Sequence, residues 1–95
     1  MFSWDARKAR SNLEKHSVSF EEAATVFADP DALEWEDAAH SKEELRVKRL
    51  GNSASGRMLI LVYTWRRAKN EEETIRIISA RRASRRERAA YGAKD

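Results

Sequence analysis

The stretch Ile75 to Tyr91, IRIISARRASRRERAAY, carries Arg76, Arg81, Arg82, Arg85, Arg86 and Arg88. Arginine stays protonated and offers a planar fork of donors that matches phosphate. The stretch opens as a strand, since Ile75, Ile77 and Ile78 are β-branched and stiff at χ1. It ends as a helix, because Ser84 stands three residues before Glu87 in the capping-box pattern. Arginines gathered where a strand runs into a helix start read as an anion site, because the helix end adds its own unpaired N–H groups. The chemistry that suits them is holding a nucleic-acid backbone. The competing reading is a solvated basic tail balanced by acidic segments elsewhere.

The elements that must position this cluster are few. The chain has 95 residues, which favours one domain over 1–95 with a single modest core. Charged residues make up 37%, against an ordinary share of about a quarter. The net charge is only +3, yet the isoelectric point is about 9.5. The acids gather at Glu34–Asp37, Glu43–Glu44 and Glu71–Glu73, while the C-terminal third is basic. There is no cysteine, hence no disulfide and no thiolate metal site. The start, MFSWDARK, lacks the apolar core of a signal peptide. The apolar run Met58 to Tyr63 is far shorter than the roughly 20 residues that span a bilayer. The expected setting is the reducing cytoplasm, with no membrane partner.

In chain order, Phe2-Ser3-Trp4 alternates as a short strand. Asp5 caps a helix over Ala6 to His16 whose thin apolar face is Ala6, Ala9 and Leu13. Ser19 and Glu22 form a second capping box, with Val18 placed as a hydrophobic staple. The helix that follows, Phe20 to about Ala28, puts Phe20, Ala23, Ala24 and Phe27 on one stripe. Asp29-Pro30 ends it. Leu33–Glu36 reads as a strand with Leu33 and Trp35 inward. Leu45–Leu50 reads as another, with Leu45 and Val47 inward, although Ser41-Lys42-Glu43-Glu44 also fits a helix start. Gly51 to Gly56 is a turn by composition. Met58 to Trp65 is apolar on both faces, as a central strand covered on each side would be. Arg66 to Glu73 is a polar connection, and Ile75 to Ala80 is the last strand. Short connections favour an antiparallel meander of four to five strands. Two N-terminal helices pack on it and a short C-terminal helix follows, giving an α+β fold.

Two motifs resemble the BrnT family of bacterial toxins. The first covers Trp4-Asp5, Lys8, Asn12, Lys15-His16, Val18, Phe20-Glu21-Glu22-Ala23 and Phe27. The second covers Arg76-Ile77-Ile78-Ser79-Ala80-Arg81, then Glu87-Arg88 and Tyr91. The resemblance implies the toxic half of a type II toxin–antitoxin pair, with a fold similar to RelE-type ribonucleases. It implies a metal-independent endoribonuclease that arrests translation. It also implies a cognate BrnA-type ribbon-helix-helix antitoxin, a heterotetramer of two toxins with an antitoxin dimer, and contact with the DNA operator only through that antitoxin.

RNA cleavage without a metal or other cofactor turns the 2′-hydroxyl on its own phosphate. The reaction needs a base, an acid and positive charge on the phosphorane, the last often being the largest contribution. Arg81, at the strand end inside the second motif, is the first candidate for that charge, and Arg66, at the end of the neighbouring strand, is the second. Arg82, Arg85, Arg86 and Arg88 would hold the RNA backbone. His16, Lys15 and Glu87 are the candidates for proton transfer. His16 could instead cap a helix end, and the capping box explains Glu87 without catalysis. Tyr91 could donate a proton or cover the sheet edge. His40 lies in an acidic loop and is assigned no role. Two histidines, no cysteine and no HExxH give no metal signal. The alternatives are a non-catalytic nucleic-acid-binding regulator and a protein-interaction module. Bunched arginines with no recognition-helix pattern speak against the regulator.

Overall fold

The computed structural model describes residues 1–67, 70 and 72–93. Five strands form one sheet in the order β1-β5-β4-β3-β2. They are β1 (Phe2–Ser3), β2 (Leu33–Glu36), β3 (Val47–Asn52), β4 (Met58–Arg67) and β5 (Glu73–Arg82). The helices are α1 (Ala6–His16), α2 (Phe20–Ala24) and α3 (Arg85–Gly92); one 3-10 turn, Thr25–Ala28, extends α2 and another, Ala38–His40, follows β2. Of the expected polar connection over 66–73, residues 68, 69 and 71 lie outside the described residues. Arg66, Arg67 and Glu73 belong to the strands themselves.

The sheet is mixed, which corrects the expected all-antiparallel meander. Strands β2 to β5 pair antiparallel in sequence, but β1 lies parallel to β5, with Phe2 opposite Ile75 and Ser3 opposite Arg76. The crossover from β1 to β5 runs through all the intervening elements, so the rule that short connections give antiparallel neighbours does not apply to it. As expected, β4 is central. One face of β4 and β5 carries Leu59, Leu61, Tyr63, Ile77 and Ala80, which pack with Val18, Phe20, Ala23 and Val26 as the core. Burying the Val, Leu, Ile and Phe side chains among them contributes roughly 1.5–3 kcal/mol each.

The other face of β4 carries Ile60, Val62 and Thr64. Their partners on β5 are Arg81, Ser79 and Arg76. The register slips by one residue between Val62 and Tyr63, so that Ile78 is an extra residue on β5. This bulge decides which way Arg81 points. The alternation Ile75, Ile77 faces the core and would carry Ser79 and Arg81 inward with it. One inserted residue reverses the faces, turning Ala80 inward and Ser79 and Arg81 outward.

Other local expectations are adjusted by packing. The buried residue of α1 is Asn12, while Leu13 is half exposed. The helix is rolled so that Asn12 meets the sheet and Ala9 packs beside the core, while Ala6 and Leu13 are left exposed. Trp35 and Leu45 are exposed rather than inward. Trp35 shares a face with Lys48 and Val62, away from the helix-covered core, and Leu45 precedes β3. Gly51 permits a close approach, since a Cβ there would stand 2.9 Å from Ala32 Cβ.

Candidate functional site

The outward face of the sheet opens into a cleft of about 380 Å³. Its wall includes His16, Asp37, His40, Arg46, Lys48 and Arg81 around a floor of Ile60, Val62 and Ser79. Four elements supply the polar wall, and β4 supplies Ile60 and Val62 of the floor. The end of α1 supplies His16, the segment between β2 and β3 supplies Asp37, His40 and Arg46, β3 supplies Lys48, and β5 supplies Arg81. An apolar floor under a few converging polar groups is the usual build of a ligand site.

Arg81 is held from two sides. Asn12 accepts from the N–H of Ala80 at 3.0 Å and donates to its C=O at 2.7 Å. The same amide donates to Val18 O at 2.9 Å. The short β1 pairs only with Ile75 and Arg76, so at Ala80 the Asn12 amide takes the place of a neighbouring strand. It therefore fixes the backbone one residue before Arg81. On the other side, Glu87 accepts a parallel pair of bonds from Arg81, Nη1 to Oε1 at 2.8 Å and Nη2 to Oε2 at 2.9 Å. Glu87 also closes the expected capping box, accepting from Ser84 N at 2.8 Å while Ser84 Oγ accepts from Glu87 N at 3.2 Å. The Arg81 guanidinium, set against some burial, holds the Glu87 carboxyl down at about 2. A carboxyl that acidic is ionised at neutral pH and serves poorly as a proton donor.

The other sequence candidates fall in different places. Arg66 is not beside Arg81. It lies opposite Thr74, whereas Arg81 lies opposite Ile60. Six residues of strand separate them, roughly 20 Å at about 3.3 Å each. Antiparallel pairing sends the end of β4 and the end of β5 in opposite directions, so these two strand ends do not share one concave site. Arg66 pairs with Glu44 at 3.3 Å and lines a second hollow that His40 and Arg46 also border. Lys15 lies with Lys8 in a shallow hollow that reaches His16 and Ser79. Arg82 and Arg88 line another hollow with Arg57, beside the turn at Gly56. Arg85 and Arg86 are exposed on α3. Tyr91 donates to Asp29 Oδ2 at 2.9 Å, a contact that raises its phenol pKa and ties α3 to the end of β3.

Asp37, Lys48 and Arg46 were not singled out from the sequence and His40 was assigned no role there, yet all four line the cleft. The available signal was Asp37 three residues before His40, the spacing that lets the two side chains meet across a helical turn.

A model of the family described as ribonuclease toxin, BrnT, of type II toxin-antitoxin system matches residues 4–87. The chain belongs to this family. The match spans the first motif, the second as far as Glu87, and every strand except β1. BrnT proteins are described as ribonuclease toxins, so this chain is a toxin-family ribonuclease with a protein antitoxin implied by its system type. No individually curated protein matches it. Among solved structures, the chain is similar to the Brucella abortus ribonuclease toxin BrnT, determined at 1.1 Å. The identity is 20%, the likeness covers 90% of this chain and 99% of that one, and the TM-score is 0.62. At that identity the likeness establishes the α+β BrnT fold alone. Among the described residues, no helix is long and apolar enough to cross a membrane.

Proposed function

We propose that this BrnT-family chain is a metal-independent, RelE-like endoribonuclease whose reaction takes place in the outward-facing cleft. The observation that carries this reading is the Ile78 bulge, which turns Arg81 into the cleft that His16 and Lys48 also line. Arg81 donates to the equatorial oxygens of the phosphorane, with Glu87 holding its guanidinium in orientation. Lys48 and Arg46 add positive charge along the wall, in the role a metal ion would otherwise fill. His16 transfers a proton at the scissile phosphate. Lys15, Arg82, Arg85, Arg86 and Arg88 hold the flanking backbone, and Arg66 extends that track past Glu44. The product of such a reaction is a 2′,3′-cyclic phosphate and a 5′-hydroxyl.

The resulting damage to RNA arrests translation in the cytoplasm. A BrnA-type ribbon-helix-helix antitoxin neutralises the toxin in a complex of two toxins with an antitoxin dimer, and that antitoxin alone contacts the DNA operator. The basic cleft supports an acidic contact from the antitoxin.

The direct test incubates purified toxin with single-stranded RNA in excess EDTA and reads the new ends by mass spectrometry. Cyclic phosphate ends are expected, with none from RNA methylated at the 2′-oxygens. Cleavage abolished by EDTA, or RNA left intact by folded protein, would overturn the proposal.

A further inference from the structure

The segment after β2 builds something that the reading above leaves unused. Asp37 is buried, with its side chain 7% exposed, while His40 is 65% exposed. The His40 Nδ1 stands 3.1 Å from Asp37 Oδ1 and 3.0 Å from Oδ2. Asp37 is itself fixed at the backbone. Its N–H donates to Arg46 O at 2.8 Å and its C=O accepts from Ser41 Oγ at 2.8 Å. Ser41 Oγ also accepts from Arg46 N at 2.9 Å, closing the loop on itself. A buried carboxylate needs a polar partner, and here the partner is an imidazole that is itself mostly exposed. Packing does not explain an exposed histidine held in one orientation by a buried acid.

That orientation has a chemical consequence. A carboxylate on Nδ1 fixes the hydrogen there and leaves the lone pair on Nε2. His40 and Asp37 line the same cleft as Arg81. The charged and titratable groups around that cleft are Asp37, His16, Arg46, Lys48 and Arg81. On the side of the second hollow His40 meets Lys42, Glu43, Glu44 and Arg66.

We propose that His40, oriented by Asp37, is the proton acceptor for the attacking 2′-hydroxyl of RNA. The proposal rests on the ribonuclease reading and adds a residue to it. The 2′-hydroxyl proton passes to His40 Nε2 as the 2′-oxygen bonds to phosphorus. The bond from phosphorus to the 5′-oxygen breaks, and that oxygen takes a proton from the imidazolium of His16. His40 then holds the extra proton and His16 lacks one, and both re-equilibrate with water. His40 is the catalytic residue here and Asp37 a positioning residue.

The experiment follows cleavage of a labelled single-stranded RNA by wild-type protein, His40→Ala, His40→Gln and Asp37→Asn. Binding of the 2′-O-methylated RNA and the melting temperature are measured alongside. His40→Ala should lose about a hundredfold in rate per folded molecule, the usual scale of general-base catalysis, with RNA binding unchanged. Added imidazole should restore part of that rate. His40→Gln, which keeps a donor for Asp37 but no basic nitrogen, should lose a similar factor in rate with the melting temperature unchanged. Asp37→Asn should slow cleavage at least about tenfold, in kcat more than KM. Wild-type rates in His40→Ala would overturn the proposal and leave the ribonuclease reading standing. Loss of rate with lowered melting temperature and no imidazole rescue would make His40 structural and overturn it too. A wild-type protein that leaves RNA intact would remove both.

Discussion

Two arginine–glutamate pairs in this molecule start from the same sequence pattern and end in different work. Glu22 follows Ser19, and Glu87 follows Ser84, each as the last residue of an S-x-x-E pattern. Both serines cap their helices, with Ser19 Oγ accepting from Glu22 N at 3.0 Å. Only Glu87 reaches back to close its box. Glu22 is drawn away to Arg57, whose Nη2 and Nε both donate to it, and to the hydroxyls of Ser53 and Ser55 at 2.7 and 2.6 Å. That pair ties α2 to the β3–β4 turn, and Arg57 also donates to Ser17 O at 3.0 Å. The Arg81–Glu87 pair instead ties α3 to the end of β5 and stands at the cleft. Arginine lowers both carboxyls to about 2. Electrostatics alone therefore does not distinguish the two pairs. What separates them is where the strand register sends the arginine.

The comparison breaks most visibly at the brace. Arg57→Ala should destabilise the fold by about 2 kcal/mol, because it leaves a half-buried carboxylate short of its partner. Cleavage per folded molecule should persist. Denaturant midpoints paired with initial rates check this. Asn12→Ala should cost about 2 kcal/mol as well, since the Ala80 N–H and C=O both lose their bonds. Unlike Arg57→Ala it should also slow cleavage, because it loosens the backbone next to Arg81, and the same pair of assays distinguishes them.

Acid titration sharpens the likeness between the pairs. Both folded carboxyls lie below their ordinary value of 4.5, so the folded state holds fewer protons there than the unfolded chain. Their contribution is complete above about pH 4.5 and is lost as pH falls towards about 2. The melting temperature should be steady from pH 5 to 8 as far as these groups go, then fall, and Glu22→Gln should flatten that fall. The smallest effect belongs to Glu87→Gln. The pair is partly exposed, so stability should change by under about 1 kcal/mol, and cleavage should slow less than it does in Arg81→Ala. Thermal melts and rates on the one variant decide it.

Much of the frame was legible from residue order. Asp5 caps α1 through the N–H groups of Arg7 and Lys8, and Pro30 follows the end of the 3-10 turn. Met58 to Trp65 announced a central strand, because apolar residues on both faces leave few alternatives. The bulge was not legible, since Ile77 and Ile78 are equally apolar and either could face the core. The parallel β1 was hidden by its length, as two residues carry no direction. The cleft was half visible. Arg81 and His16 lie in quotable motifs, but His40, Asp37 and Lys48 reach them only through tertiary folding. Glu22 misled for a related reason, because a capping-box spacing cannot reveal that an arginine far along the chain competes for the carboxylate.

The central claim is that the register-turned Arg81, and not any other paired arginine, serves the reaction. Initial rates of RNA cleavage by Arg81→Ala and Arg57→Ala, at equal concentrations of folded protein, test it. Arg81→Ala should keep its melting temperature and lose on the order of a hundredfold in rate, about 3 kcal/mol of transition-state stabilisation. Arg81→Lys should recover only part of that, because it restores the charge without the fork. Arg57→Ala should cleave at the wild-type rate. Undiminished cleavage by Arg81→Ala, or an equal loss in both variants, would contradict the account.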